Sequence, residues 1–280
     1  MKPLISVVTV CWNSVGTIER TLKSVLNQSF LDYEYIVVDG GSTDGTVELL
    51  KKYEALFNGR MLWKSEPDKG IYDAFNKGIN RANGELVWIV NSDDWMERDA
   101  LSVISDTYNR SPVHNFVMAF AMHFVDANEN ILRSCFPSVE EKHLRDAYKK
   151  DYVGVPHPAV VVPRYIYKEY GMYDNRFRII GDADWFHRLY GRGVKFQSIP
   201  LVITNMSNFG VSNTFDFRIN SKDRLLYLKK NYGKMHVRIL RYMCWIIQFY
   251  RQKMKHIKES KSVRRMLTKW ISKYSQKEEK

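Results

Sequence analysis

The sequence predicts an α/β protein: a mixed, mainly parallel sheet flanked by helices, with a helical extension at the C-terminus. Three observations carry this. Apolar, β-branched runs alternate with helix-spaced segments through the first hundred residues. The early runs end at clusters of Asp, Asn, Gly or Ser. The charge is also divided: residues 229–280 hold 11 Lys and 5 Arg against 3 Glu, whereas residues 1–228 are within one charge of neutral.

Ile5 to Val10 reads as the first strand. It follows a single lysine, offers no small-residue cleavage site and runs into Trp12-Asn13-Ser14, so a strand is expected rather than a signal peptide. Asn13-Ser14 are expected to cap a helix from about Val15 to Gln28. Tyr35 to Asp39 is the second strand, Gly40 to Gly45 a turn and Thr46 to Leu56 the second helix. A short strand at Met61 to Lys64, a helix from about Ile71 to Asn83 and a strand ending at Asn91 complete a βαβαβαβ pattern. Beyond it, Phe116 to Val125 and Ile131 to Phe136 read as strands joined at Asn128-Glu129-Asn130. Pro156-His157-Pro158 interrupts the chain before the apolar run Ala159 to Val162. Helices are expected over Arg164 to Tyr170 and Asp182 to Tyr190, an extended segment over Phe196 to Ile203, and helix from about Phe215 onward. The expected division is a domain of residues 1–214, with halves 1–112 and 113–214, and a basic helical extension of residues 215–280.

Composition narrows the function. A 45% hydrophobic content is enough for a sizeable core. The three cysteines are far apart and form no C-x-x-C, so neither a disulfide framework nor a zinc knuckle is expected, and a reducing cytosolic setting fits. No run approaches the roughly 20 apolar residues of a membrane span. The net charge of +12 resides in the C-terminal segment, so it does not make the main domain a nucleic-acid binder. No G-x-x-x-x-G-K-[ST] loop is present, which argues against a kinase or ATPase.

Four constellations carry chemistry. Asp39-Gly40-Gly41-Ser42-Thr43-Asp44-Gly45-Thr46 puts an acid at a strand end before a loop that a ligand can approach closely; a capped strand–turn–helix explains it equally well. In Glu66-Pro67-Asp68-Lys69-Gly70-Ile71-Tyr72-Asp73-Ala74-Phe75-Asn76-Lys77-Gly78, Tyr72 and Asn76 share a helix face, and so do Asp73 and Lys77. That density of polar groups suggests a ligand wall, although Asp73–Lys77 alone reads as a surface ion pair. Asp93-Asp94 follows the apolar run Leu86 to Val90, where two adjacent acids are costly to bury without a cation or hydrogen bonds. A hard divalent cation prefers carboxylate and diphosphate oxygens together, so the pair reads as half of a metal–diphosphate site; helix capping accounts for only one of the acids. Ile180-Gly181-Asp182-Ala183-Asp184-Trp185 offers acids at a loop–helix junction, suited to a general base or to capping. His157, between two prolines, is a further phosphate or acceptor contact or a structural histidine.

In this order the motifs resemble the family 2 glycosyltransferases, which have the nucleotide-sugar-binding, Rossmann-like GT-A fold, over roughly residues 3 to 212. The likeness is greatest to bacterial enzymes that assemble O-antigen, capsule or exopolysaccharide. The resemblance implies that Thr9 lines the nucleotide pocket, Asp39 holds the base and Asp68 lies near the nucleotide or ribose, with Asn76 also on the donor. Asp93 and Asp94 match the DXD-like element, with Ser92 in its first acidic place; Asp94 is the favoured ligand of Mn2+ or Mg2+, and Asp93 faces ribose or sugar. Asp182 matches the catalytic base, although Gly181 stands where the family usually has Glu, and Asp184 is the reserve. His157 and Trp185 are candidate acceptor or phosphate contacts, and Gly210-Val211-Ser212 resembles a late loop that closes over the donor. The implied reaction is metal-dependent, inverting transfer from a nucleoside-diphosphate sugar, UDP-sugars favoured, to a glycan or undecaprenyl-linked acceptor. The alternatives are a non-catalytic binding or assembly protein of the same fold, and a nucleotidyltransferase. The latter would open with a Gly-rich phosphate loop where this chain has Cys11-Trp12-Asn13-Ser14.

In the tail, Val263, Met266, Leu267, Trp270, Ile271 and Tyr274 form one helical face among lysines and arginines. Upstream, Leu240 to Tyr250 is a denser apolar stretch. Such helices suit an anionic membrane surface, which implies peripheral attachment at the inner face of the cytoplasmic membrane. The alternative is packing on the catalytic domain or on a second copy in a homodimer. No nucleic-acid partner is expected.

Overall fold

The computed structural model describes residues 2–138, 155–208 and 217–231, together with residues 235, 238, 239, 242 and 243. The chain forms two compact units, 1–223 and 224–280. The first contains nine described strands in one sheet and every described site residue below.

The N-terminal half is a parallel βαβ array. β1 (Ile5–Cys11) and β2 (Tyr33–Asp39) are buried along their whole lengths, as expected for strands covered on both faces. β1 pairs in parallel with β2 and with β4 (Leu86–Ile89), and β2 pairs in parallel with β3 (Met61–Ser65). The crossovers are α1 (Ile18–Leu26), α2 (Thr46–Glu54) and α3 (Ile71–Arg81). The buried residues of α1, Ile18, Thr21, Leu22 and Val25, recur at helical spacing and present one face to the core.

The second half is mixed. β5 (Trp95–Met96) and α4 (Ala100–Arg110) lead into β6 (Phe116–Val125), whose partner β7 (Ile131–Cys135) forms a hairpin with it. A short 3-10 turn, His157–Ala159, precedes β8 (Val160–Pro163). α5 (Arg164–Tyr170) and α6 (Gly181–Gly191) follow, then β9 (Lys195–Ser207) and α7 (Phe217–Asn231). The sheet order is β3-β2-β1-β4-β8-β6-β9-β5. β8 is antiparallel to both β4 and β6, whereas β6 and β9 are parallel. Trp88 on the central β4 is fully buried and donates its indole N–H to the Pro158 carbonyl at 2.9 Å, fastening the two halves of the sheet. A side chain of that class contributes roughly 1.5–3 kcal/mol when fully buried.

The α/β architecture expected from the sequence is present. Local expectations differ in places: β4 ends at Ile89, not Asn91, β5 is not anticipated, and α1 begins at Ile18, not Val15, without a cap from Asn13-Ser14. Asn13 Oδ1 instead accepts the Thr43 N–H, and the Ser14 N–H goes to Thr46 Oγ1. The basic face at 263–274 lies outside the described residues. Among the described residues, no helix is long and apolar enough to cross a membrane.

Candidate active site

The sheet topology brings the expected motifs to one edge. The carboxyl ends of β1, β2, β3 and β4 share it because those strands are parallel. β8 runs the other way, with Val161 opposite Trp88 and Pro163 opposite Leu86, so its start and the preceding His157 fall at this edge too. Ligands of open α/β sheets bind at such carboxyl edges.

Asp39 ends β2 with no exposed surface. Its Oδ2 accepts the Gly41 and Ser42 N–H groups at 3.1 and 2.9 Å and the Ser65 hydroxyl at 2.6 Å. Its Oδ1 accepts the Ser42 hydroxyl and the Cys11 thiol. Burial opposes ionisation, but the bonds from Ser42 and Ser65 outweigh it and hold the carboxyl below its usual range. Asp39 thus organises the glycine-rich loop. The loop is stitched to the end of β1 by Asn13 N–H to Ser42 Oγ and by Val15 N–H to Asp44 Oδ2. Asp44 also accepts the Thr46 N–H and hydroxyl, although the N-cap position of α2 is Gly45.

Asp68 lies across the loop. A Cβ on Gly40 would come within 2.6 Å of its Oδ2 and 3.3 Å of Cδ1 of Trp12. Trp12 is 65% exposed, so an open indole sits beside Asp39 and Asp68. The sequence reading missed it; the available signal was a large aromatic immediately beyond a buried strand. Thr9 is fully buried and accepts the Tyr35 phenol at 3.0 Å, so it lies beneath this surface, not on it.

Asp93 and Asp94 are dissimilar. Asp94 is buried; its Oδ1 accepts the Ser207 N–H and its Oδ2 the Asn91 amide, both at 3.1 Å. Burial, then the adjacent charge of Asp93, push it up to about 8. Asp93 is half-buried, and no described hydrogen bond from another residue reaches its carboxylate. Burial raises its pKa as well. Asn91 Oδ1 is buried without a partner among the described residues. Helix α1 secures this segment from behind: Arg20 donates to the Asp93 carbonyl at 3.0 Å, and the Thr21 hydroxyl to the Asp94 carbonyl at 2.6 Å. Among the described residues no three His, Cys, Asp or Glu side chains converge as a metal cluster.

Asp182 occupies the first turn of α6, half-buried. Its Oδ1 lies 3.3 Å from the Tyr72 hydroxyl, and no described hydrogen bond takes its Oδ2. Gly181 is explained here. A Cβ on it would lie 2.7–2.8 Å from three atoms of the Tyr72 ring, so a larger residue would drive Tyr72 away. His157 stacks on Phe75 with ring centroids 5.4 Å apart, and its Nε2 is 3.0 Å from the Tyr173 hydroxyl. Burial lowers its pKa and favours a neutral ring, against the pull of Asp182.

Three expected contacts are engaged within the fold instead. Asn76 donates to the Tyr173 carbonyl at 2.8 Å and accepts the Tyr173 N–H at 3.1 Å, so both ends of its amide are occupied. Asp184 is fully buried and paired with Arg188 at 3.1 Å, which removes it as a reserve base. Trp185 is also fully buried and donates to the Gly171 carbonyl at 2.7 Å, out of reach of an acceptor. Ser212 lies outside the described residues.

A family model described as glycosyl transferase family 2 matches residues 6–171, more than half of the chain. The chain belongs to glycosyltransferase family 2. An uncharacterized glycosyltransferase of Mycobacterium tuberculosis is 44% identical over 93 residues, 33% of this chain, and the match spans about a third (34%) of that relative's length. A protein of Bacillus subtilis named as a teichuronic acid biosynthesis glycosyltransferase, TuaG, is 41% identical over 100 residues, covering 36% of this chain and 40% of that one. Among solved structures, Staphylococcus aureus TarS 1–349 in complex with UDP-GlcNAc aligns with a TM-score of 0.68 at 19% identity, over 94% of this chain and 77% of the TarS chain. That likeness shows the fold, and the family match agrees with the resemblance carried by the motifs.

Proposed function

We propose that this family 2 glycosyltransferase moves a sugar from a nucleoside-diphosphate sugar to a hydroxyl of a glycan or lipid-linked acceptor, with inversion, in surface polysaccharide biosynthesis. The observation that carries the reading is that Asp39 and the acid pair follow the carboxyl ends of parallel strands while Asp182 meets Tyr72 on the helix after β3, each acid with different chemistry. The UDP-GlcNAc bound to TarS and the teichuronic acid named for TuaG support a UDP-sugar donor and a polysaccharide product.

The base binds over Trp12, whose open indole can stack on it, while Asp39 orders the loop beneath. The Ser42 and Ser65 hydroxyls on Asp39 are the donors that a base N–H would replace. Asp68 lies beside them, within reach of the ribose side. The chemistry of the acid pair fits a divalent cation. Asp93 has an open carboxylate that burial pushes toward protonation, and the buried Asn91 Oδ1 has no described donor. Asp93 is therefore the better ligand of Mg2+ or Mn2+, in place of the Asp94 favoured by the sequence, because both Asp94 oxygens already accept hydrogen bonds. When bound with the donor diphosphate, such an ion supplies charge stabilisation to the departing nucleoside diphosphate. Asp182 takes the proton of the acceptor hydroxyl on its Oδ2, which takes no described hydrogen bond, as that hydroxyl attacks the anomeric carbon from the face opposite the leaving group. One displacement inverts the configuration and needs no covalent intermediate. The basic C-terminal segment supports peripheral attachment to the inner face of an anionic cytoplasmic membrane, where a lipid-linked acceptor resides.

The test pairs a thermal-shift screen of UDP-, GDP- and dTDP-sugars with Mn2+ and the Asp182→Asn variant. A donor should raise the melting temperature of both proteins by mass action, and Asp182→Asn should abolish transfer. Donor binding without turnover by the unaltered protein would favour a non-catalytic role. Full turnover by Asp182→Asn would refute the base.

A further inference from the structure

We propose that Asp223 and Tyr72 are positioning residues for Asp182, acting through the backbone of residues 178–180; this rests on the reading of Asp182 as the base.

Asp223 is buried, with 3% of its surface exposed. One of its oxygens, Oδ2, accepts three successive backbone N–H groups: Arg178 at 2.9 Å, Ile179 at 2.7 Å and Ile180 at 3.2 Å. Consecutive amides that converge on one oxygen form an anion-binding concavity, here filled by the protein's own carboxylate. No described cation pairs with Asp223. A buried charge is costly unless hydrogen bonds compensate it, and the described compensation is these three amides. If the position served packing alone, a neutral side chain would satisfy it with less desolvation.

Tyr72 holds the same segment from the other side. Its hydroxyl donates to the Ile179 carbonyl at 2.5 Å and lies 3.3 Å from Asp182 Oδ1. The residue Ile179 is therefore fixed at both polar groups, its N–H by Asp223 and its C=O by Tyr72. Arg178 adds a third fastening through its Nη1, which donates to the Lys69 carbonyl at 2.7 Å. Ile180 is the N-cap of α6, and Asp182 follows in the first turn, so the fastened segment sets where that turn begins. Among the described contacts Asp223 does not touch Asp182; its influence passes through the chain. Transfer needs the base oxygen in near-attack geometry, and a displacement of about 1 Å can cost roughly 100-fold in rate. The clamp supplies that constraint from residues distant in sequence.

The experiment uses the full chain with Asp223→Asn, Tyr72→Phe, Asp182→Asn and the Asp182→Asn/Asp223→Asn pair. Hydrogen–deuterium exchange reads the amides of residues 178–180. Nucleoside-diphosphate release from UDP-GlcNAc, UDP-Glc, UDP-Gal and GDP-Man, each with Mn2+ and water as acceptor, reads turnover. Asp223→Asn should speed exchange of those amides by about tenfold or more. Both Asp223→Asn and Tyr72→Phe should lower kcat by roughly 10- to 100-fold while donor KM stays within about twofold. The double variant should be no slower than Asp182→Asn. If Asp223→Asn does not fold, Tyr72→Phe, which keeps the ring and the Asp223 bonds, decides. An inactive Asp182→Asn beside unchanged kcat in the two positioning variants overturns this proposal alone. Unchanged amide exchange in folded Asp223→Asn does the same. Turnover that survives Asp182→Asn, or no release by the unaltered protein from every donor, overturns the transfer reading and this proposal with it.

Discussion

Replacing Asp94 and Asp93 one at a time separates an acid bonded within the fold from the one proposed to hold the metal. Asp94→Ala removes the acceptor of two hydrogen bonds of 3.1 Å, one from the buried Ser207 N–H and one from the part-buried Asn91 amide. Each unsatisfied donor costs about 1–3 kcal/mol. Burial of Asp94 is itself unfavourable, as its displacement to about 8 shows, and removing it returns part of that cost. The expected net loss is about 2–3 kcal/mol. For a unit of residues 1–223, at roughly 2–4 °C per kcal/mol, the melting temperature should fall by about 4–12 °C. Asp93→Ala strands no described donor and relieves a carboxylate that burial disfavours, so stability should stay within about 1 kcal/mol. The Mn2+-dependent part of donor binding should instead vanish. Differential scanning calorimetry without ligand, and titration calorimetry of a UDP-sugar with and without Mn2+, measure the two effects. A stable Asp94→Ala that has lost metal-dependent binding, next to an Asp93→Ala that retains it, would reverse the assignment.

Trp12→Ala should weaken donor binding by roughly 5- to 150-fold, from a stacking contribution of about 1–3 kcal/mol, without moving the ligand-free melting temperature, since the indole is 65% exposed. Equal affinity would remove Trp12 from the base site. Gly181→Ala forces a Cβ into the Tyr72 ring and should cost about 1–3 kcal/mol together with a loss of kcat; a neutral melting curve would show that the ring can move aside. His157 titrates below its usual value because burial disfavours the charged ring, so the unfolded chain binds its proton first as pH falls. Stability from this group is present above pH ~6.5 and is lost as pH drops toward the lower folded pKa, and His157→Gln should flatten the melting-temperature profile between about pH 7 and 5. A variant with the same slope would assign the loss to other groups.

The first half of the fold was legible because its signals are local. Runs such as Ile5–Val10 and Tyr35–Asp39 are rich in β-branched residues, and the face of α1 repeats at helical spacing. The start of α1 was misjudged because Asn13 and Ser14 bond across to Thr43 and Thr46, a long-range pull with no local trace. β5 was missed because its two residues owe their conformation to pairing with β9. Asp39, the acid pair and Asp182 stand out in the sequence because each closes or opens an element. Asn76 and Trp185 were misread because their partners lie at Tyr173 and Gly171. Asp184 could have been caught, since Arg188 stands four residues on along the same helix face. Nothing in the sequence pointed to Asp223.

The partners of Asp39 come early in the chain: Cys11, Gly41, Ser42 and Ser65 supply every described bond to its carboxylate. The surroundings of Asp182 draw on Tyr72 and, through residues 178–180, on Asp223. A ribosome adding about 5–20 residues per second therefore delivers the partners of Asp39 many seconds before Asp223. A nascent chain stopped short of residue 223 would carry every described partner of the Asp39 carboxylate but lack the carboxylate that fastens residues 178–180. Order of synthesis thus separates in time the parts that surround the two carboxylates.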